Sequence, residues 1–228
     1  MKHLLLLITI CCFTLSSQAQ EASKYEQAMG KNLMAYKLAE TPEQYIACAN
    51  KFDQIGEIER ERWAPLYYGY ISKIMAAFAT KDGDKSDEIL DAAKSHFETN
   101  LPTENEEVKS AQMQSEIMAL KSMAASAKLQ VAPMQRGQKY GPMATKLLQE
   151  SLKENPNNPR AMYLMGQNLY YTPPMWGGDK KKAMELMQKA KQIIANGENL
   201  EYKFAPSWGK EAIDEFMTNV EKNDDKED

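Results

Sequence analysis

Four pairs of residues constrain this chain more than any other feature of it. Each pair is a small side chain followed, four positions on, by a large apolar one: Cys48 and Phe52, Ala93 and Phe97, Ala144 and Leu148, Ala183 and Met187. Residues four apart on a helix share a face, one turn from each other. The small member lets a neighbouring helix come close, and the large one fills the gap beside it. The small positions are 45, 51 and 39 residues apart, room for two helices and their turns. A chain that repeats this device must stack helix pairs, so the spacing predicts an all-α protein.

The rest of the pattern agrees. No run after the first twenty residues alternates apolar and polar side chains at period 2 between turn signals. Nine helices are predicted. The first covers about residues 21–39. Thr41 and Pro42 open the second as N-cap and N1. Trp63, Leu66, Tyr67, Tyr70, Ile71, Ile74 and Phe78 advance by 3 and 4 along the third. The fourth turns Leu90, Ala93 and Phe97 inward. A long fifth helix is predicted from Glu104 to Val131, ended by a breaker at residues 132–137. Asn158-Pro159 starts the seventh, Asp179 caps the eighth after two glycines, and Ile213, Phe216 and Val220 line the ninth.

One stretch carries a family resemblance. Ala144, Leu148, Ser151 and Pro156 are spaced as in the second helix and closing turn of a tetratricopeptide repeat. Gly166 falls ten residues after Pro156, where the next repeat's first helix places a small residue, and Ala183, Met187 and Ala190 repeat the small-large-small spacing. The chain thus resembles the tetratricopeptide repeat family over Ala144 to Ala190, with repeats stretched beyond the usual 34 residues. The Asn-Pro-Arg and Pro-Pro-Met-Trp-Gly-Gly segments are also similar to exported bacterial repeat proteins of undefined role. The resemblance implies a right-handed superhelix of antiparallel helical hairpins, about four of them plus a C-terminal capping helix. It would form a single domain over residues 20–222, with a charged tail at 223–228. It further implies a non-catalytic scaffold that binds a protein or peptide partner in a concave groove lined by the first helix of each pair. Carried onto this chain, the groove positions fall on Arg160, Tyr163, Gln167 and Tyr170. The plainer reading of the same residues is a half-buried layer between helices, with the hydroxyls reaching water.

The segment Tyr170 to Gly178 allows two readings as well. Two prolines stiffen it and two glycines permit positive φ. Either the loop presents Tyr171 and Trp176 beside the groove as partner-binding residues, or it tucks Trp176 into the core, which favours a tryptophan more. A ligand cavity near Trp176 is the alternative function: an exported small-molecule-binding accessory protein.

The first residues set the compartment. Lys2, an apolar run from Leu4 to Leu15 and Ser17-Gln18-Ala19 form a signal peptide over residues 1–19, cleaved after Ala19. This predicts a periplasmic or secreted protein with no stable membrane insertion. Removing the leader leaves one cysteine, Cys48, so no internal disulfide can form. It leaves one histidine, His96, expected in a surface or packing role. With Lys2 gone the formal charge moves from −4 to −5, without the basic stripe of a nucleic-acid binder. No metal, cofactor or catalytic spacing stands out. The expectation is therefore no enzyme, no metal site, no cofactor and no nucleic-acid partner.

Overall fold

A computed structural model describes residues 23–198 and 202–224; the predicted signal peptide lies outside the described residues. Among these, ten α-helices and no strand are found. They are α1 (Lys24–Lys37), α2 (Pro42–Ile58), α3 (Trp63–Ala79), α4 (Gly83–Asn100), α5 (Glu106–Lys109), α6 (Ala111–Val131), α7 (Pro133–Glu154), α8 (Pro159–Tyr171), α9 (Lys180–Ala195) and α10 (Lys210–Asp224).

Local chemistry sets most helix starts. Ser23 and Glu26 form a capping box before α1, and Thr41 with Gln44 forms another before α2, with Pro42 at its first position. Asn158 caps α8 ahead of Pro159, and Asp179 caps α9. The long fifth helix does not form as one piece. Ser110 leaves helical space at φ −62°, ψ 145° and its hydroxyl accepts from Met113 N, so the segment splits into α5 and α6. The expected breaker at 132–137 shrinks to one corner residue, Ala132. Pro133 disfavours a helical residue before it and suits the first position of α7.

Consecutive helices pair as α1/α2, α3/α4, α6/α7 and α8/α9, each joined by a short connection. The second helix of each pair packs on the first helix of the next, and α9 packs on α10. The first helices also meet in order: α1 with α3, α3 with α6, α6 with α8. Cys48, Ala93, Ala144 and Ala183 are all buried, as are their partners Phe52, Phe97, Leu148 and Met187. Close approach is visible at Gly166 on α8, where an added Cβ would lie 2.9 Å from Met187 Cε and 3.2 Å from Ala183 O. The small-then-large device thus works as its spacing predicts. The largest core cluster spans α1 to α6 around Phe52, Tyr67, Phe97 and Leu120, while Met162, Met187, Ile213 and Phe216 form a second one beneath α10.

The cap of α8 ties two pairs together. Asn158 is fully buried, accepts from Arg160 N and Ala161 N, and donates to Ser115 Oγ on α6 at 2.9 Å. Asn158→Ala should therefore destabilise the protein by about 2 kcal/mol, the upper end for a lost N-cap. The check is a urea midpoint that falls at unchanged slope.

Candidate functional site

The inner face of the first helices is where a concave groove would lie. It is covered by the chain itself. After α9 the described residues 202–209 cross this face. Tyr202 meets Trp63 of α3, and Phe204 meets the ring of Tyr25 on α1 edge-on at 5.5 Å. Tyr68 Oη donates to Ala205 O at 3.2 Å, and Trp208 Nε1 donates to Tyr67 Oη at 3.0 Å. Phe204 sits at φ +64°, a conformation costly for a side chain of this kind, held by these contacts.

Beneath this strap lies a buried ion cluster. Arg160 of α8 is 2% exposed. Its Nε donates to both oxygens of Glu116 on α6 at 2.8 and 2.9 Å. Nη1 and Nη2 grip Glu198 as a fork at 3.0 and 2.7 Å. Tyr67 Oη donates to Glu116 Oε2 at 3.2 Å. Burial opposes the guanidinium charge, but Glu116 and Glu198 outweigh it and hold its pKa above the usual value. The expectation that Arg160 lines an open groove is corrected here: its donors are committed inside the fold. The cause is non-local, because Glu116 and Glu198 stand 44 and 38 residues away in sequence.

The other predicted positions on α8 separate from Arg160. Tyr163 is half-buried in the cluster beneath α10, where burial pushes its phenol up to about 12. Gln167 is half-exposed. Tyr170 packs edge-on against Phe216 of α10 at 5.2 Å. Tyr163 and Tyr170 thus occupy the half-buried interhelix layer.

The loop between α8 and α9 does the opposite of burying its tryptophan. Trp176 is 74% exposed, Tyr171 71% and Met175 82%. The reason is that the loop closes on its own backbone. Trp176 N and Gly178 N both donate to Pro173 O, and Asp179 N donates to Leu169 O at 3.0 Å. Pro174–Trp176 forms a single 3₁₀ turn and Gly177 takes φ +92°. With its polar groups satisfied internally, the loop projects its side chains outward. Tyr171 stands edge-on to Tyr170 and Phe216 at 5.3 and 6.0 Å. Lys180 Nζ lies 5.1 Å from the centroid of Tyr170, a cation over a ring, and Lys181 and Lys182 beside it are exposed. The loop thus exposes an aromatic and thioether stretch, Tyr171, Met175 and Trp176, which we call the shelf, followed along the chain by the exposed Lys180, Lys181 and Lys182. Tyr171 and Trp176 were legible as its members; Met175, Phe216 and Lys180 were not singled out, although Met175 lies between named neighbours.

Other candidate features are poorer. An open cleft of about 550 Å³ is walled by Gln112, Asn155, Asn157, Arg160 and Glu198, and one of about 360 Å³ by Glu59, Arg62, Asn105, Glu107 and Lys203. His96 Nε2 lies 3.4 Å from Asp53 Oδ1, which shares its carboxylate with Lys73. Cys48 is buried, and burial raises its thiol pKa, which disfavours the reactive thiolate. No helix among the described residues is long and apolar enough to cross a membrane.

No protein-family model and no curated protein matches the chain. Among solved structures it is similar to the HusA haemophore from Porphyromonas gingivalis, with 31% identity and a TM-score of 0.69. This likeness overturns the expected protein or peptide partner, since the relative is a haemophore and the face meant for such a partner carries the chain's own strap. The match covers 85% of this chain and 90% of the relative, and identity of this order over nearly the whole length places the chain in the HusA haemophore family.

Proposed function

We propose that this chain is an exported, non-catalytic carrier of a haem-like tetrapyrrole, held on the shelf of Tyr171, Met175 and Trp176. The observation that carries the reading is the exposure of these three side chains on a loop stiffened by two prolines. A soluble protein gains by burying such residues, at about 25 cal/mol per Å² of apolar surface. Leaving them presented together suits a flat apolar ligand that covers them. A tetrapyrrole adds carboxylates at its edge, and Lys180, Lys181 and Lys182 supply the matching charge. A phenol and a thioether belong to the ligand types that hold haem iron, and the shelf offers both in Tyr171 and Met175. The two clefts are walled by amides and charges instead, a poor match for a macrocycle.

The pairing of first helices in sequence also supports a tetratricopeptide-like superhelix as the frame. The hydrophobic leader supports export. Absence of catalysis is proposed because no catalytic constellation was read from the sequence and the loop chemistry fits holding a ligand.

The test is a titration of the chain with haemin, followed by the Soret band and by quenching of tryptophan emission. Trp176→Ala and Tyr171→Ala should each weaken binding about tenfold or more, equivalent to about 1.4 kcal/mol, while leaving the melting temperature unchanged. Unaltered affinity in both variants would remove the shelf as the site.

A further inference from the structure

The hairpin order places all four connections within pairs at one edge of the array. These are residues 38–41, 80–82, 132 and 172–179. The second and third of these turns are tied together. Arg136, at the start of α7, grips Asp87 near the start of α4 at 2.6 and 2.9 Å, and Val131 packs where a Cβ on Gly83 would sit.

Two properties single this edge out. The first is protruding apolar side chains. Leu38 is 70% exposed and Met134 98%, each at a different turn, and the Tyr171–Met175–Trp176 loop forms a third station. Among the described residues only Met34, Ile58 and Met143 are other large apolar side chains so exposed, and only Ile58 lies at the opposite edge. The second property is charge. Residues 37–44, 79–87, 128–139 and 171–182 hold nine Lys and Arg against six Asp and Glu. The opposite edge, at 57–63, 98–110, 153–160, 195–198 and 202–211, holds seven against ten. This edge therefore carries a net +3 (9 − 6) and the opposite edge −3 (7 − 10), with Lys128 and Arg136 paired to Asp91 and Asp87.

We infer that this edge docks reversibly on an anionic lipid surface, with Leu38, Met134 and Trp176 dipping into the interface. A bilayer is favoured over a protein partner by the shape of the edge. Both open clefts belong to the opposite edge, walled by residues such as Asn105, Glu107, Asn155 and Glu198. Leu38, Met134 and the 171–176 loop are spread over separate turns and are not gathered into one patch that would fit a single partner. A fluid interface needs no pocket, accepts isolated Trp, Leu and Met side chains, and draws in flanking lysines. The inference shares Trp176 with the proposed haem site but stands also on Leu38 and Met134, which belong to other hairpins.

The experiment is flotation with vesicles of phosphatidylcholine and phosphatidylglycerol in equal parts, beside vesicles of phosphatidylcholine alone. The chain should partition to the anionic vesicles about tenfold more strongly, and salt should reverse it. Leu38→Glu/Met134→Glu should abolish this partition while keeping both the melting temperature and haemin affinity. Brominated lipid should quench the emission of the natural chain and not that of Trp176→Phe. No partition, or partition that survives the double substitution, would overturn the inference. Capture by an acidic protein such as polyglutamate in place of vesicles would overturn it in favour of a protein partner. Vesicle binding by a natural chain that does not bind haemin, or haemin binding by one that does not partition to vesicles, separates failure of the haem reading from failure of this inference.

Discussion

Arg160→Met should lower the free energy of unfolding by about 3–5 kcal/mol, the cost of breaking a buried ion pair from one side. The substitution keeps an unbranched stem to about the depth of Nε but leaves Glu116, almost wholly buried, with the Tyr67 hydroxyl as its one remaining side-chain donor among the described residues. Glu198 loses its fork at the same time and is freed from the fold. The cluster already holds two carboxylates against one guanidinium, so removing the cation leaves like charges facing each other. Arg160→Met/Glu116→Met/Glu198→Gln should recover most of the loss, because apolar replacement of an entire buried ion cluster is near neutral. Chemical denaturation of the single and triple variants measures both. A single-variant loss below about 1 kcal/mol would mean that the cluster counts for no more than an exposed pair. The strap offers a second readout: with Arg160 gone, Trp208 should shift toward the emission of a solvated indole.

Gly178→Ala is the second large effect, and it reaches the shelf. An added Cβ would lie 1.7 Å from Thr172 O, 2.6 Å from its carbonyl carbon and 3.1 Å from Leu169 O. These are backbone atoms, so no side chain can turn aside to make room. The loop must reopen, at a cost of about 3 kcal/mol, the upper range for a single substitution. Gly177→Ala is the matched control. Gly177 has φ +92° but nothing within 4 Å of its missing Cβ, so strain alone costs about 1–2 kcal/mol. Thermal melting should rank Gly178→Ala well below Gly177→Ala; the reverse order would show that the loop is not closed on itself. If the shelf carries haem, Gly178→Ala should also weaken haemin binding although it changes no side chain of the shelf.

Helix starts were readable because their causes lie within four residues. Thr41-Pro42, Asn158-Pro159 and Asp179 each cap the helix that follows them. Ser110 shows where such reading stops. A serine inside an apolar periodic run can face solvent or cap a new helix, and the choice is made where Val108 is buried and Gln114 reaches back to Val108 O. The site followed the same division. Tyr171 and Trp176 stood out by composition, whereas Phe216, which props Tyr171, comes from a helix 45 residues further on.

Spacing by itself determined that this chain is helical, that its helices pair, and that Cys48, Ala93, Ala144 and Ala183 face their neighbours. Those outcomes depend on side chains one turn apart, and one turn is a distance the sequence states outright. Only the tertiary structure decided that Arg160 turns inward, that residues 202–209 cover the inner face, and that Trp176 stays in water. Each of those was settled by partners between 38 and 179 (204 − 25) residues away or by a loop satisfying its own backbone. Burial energy and charge pairing reward whichever groups the completed stack brings together, and no local pattern records which groups those will be.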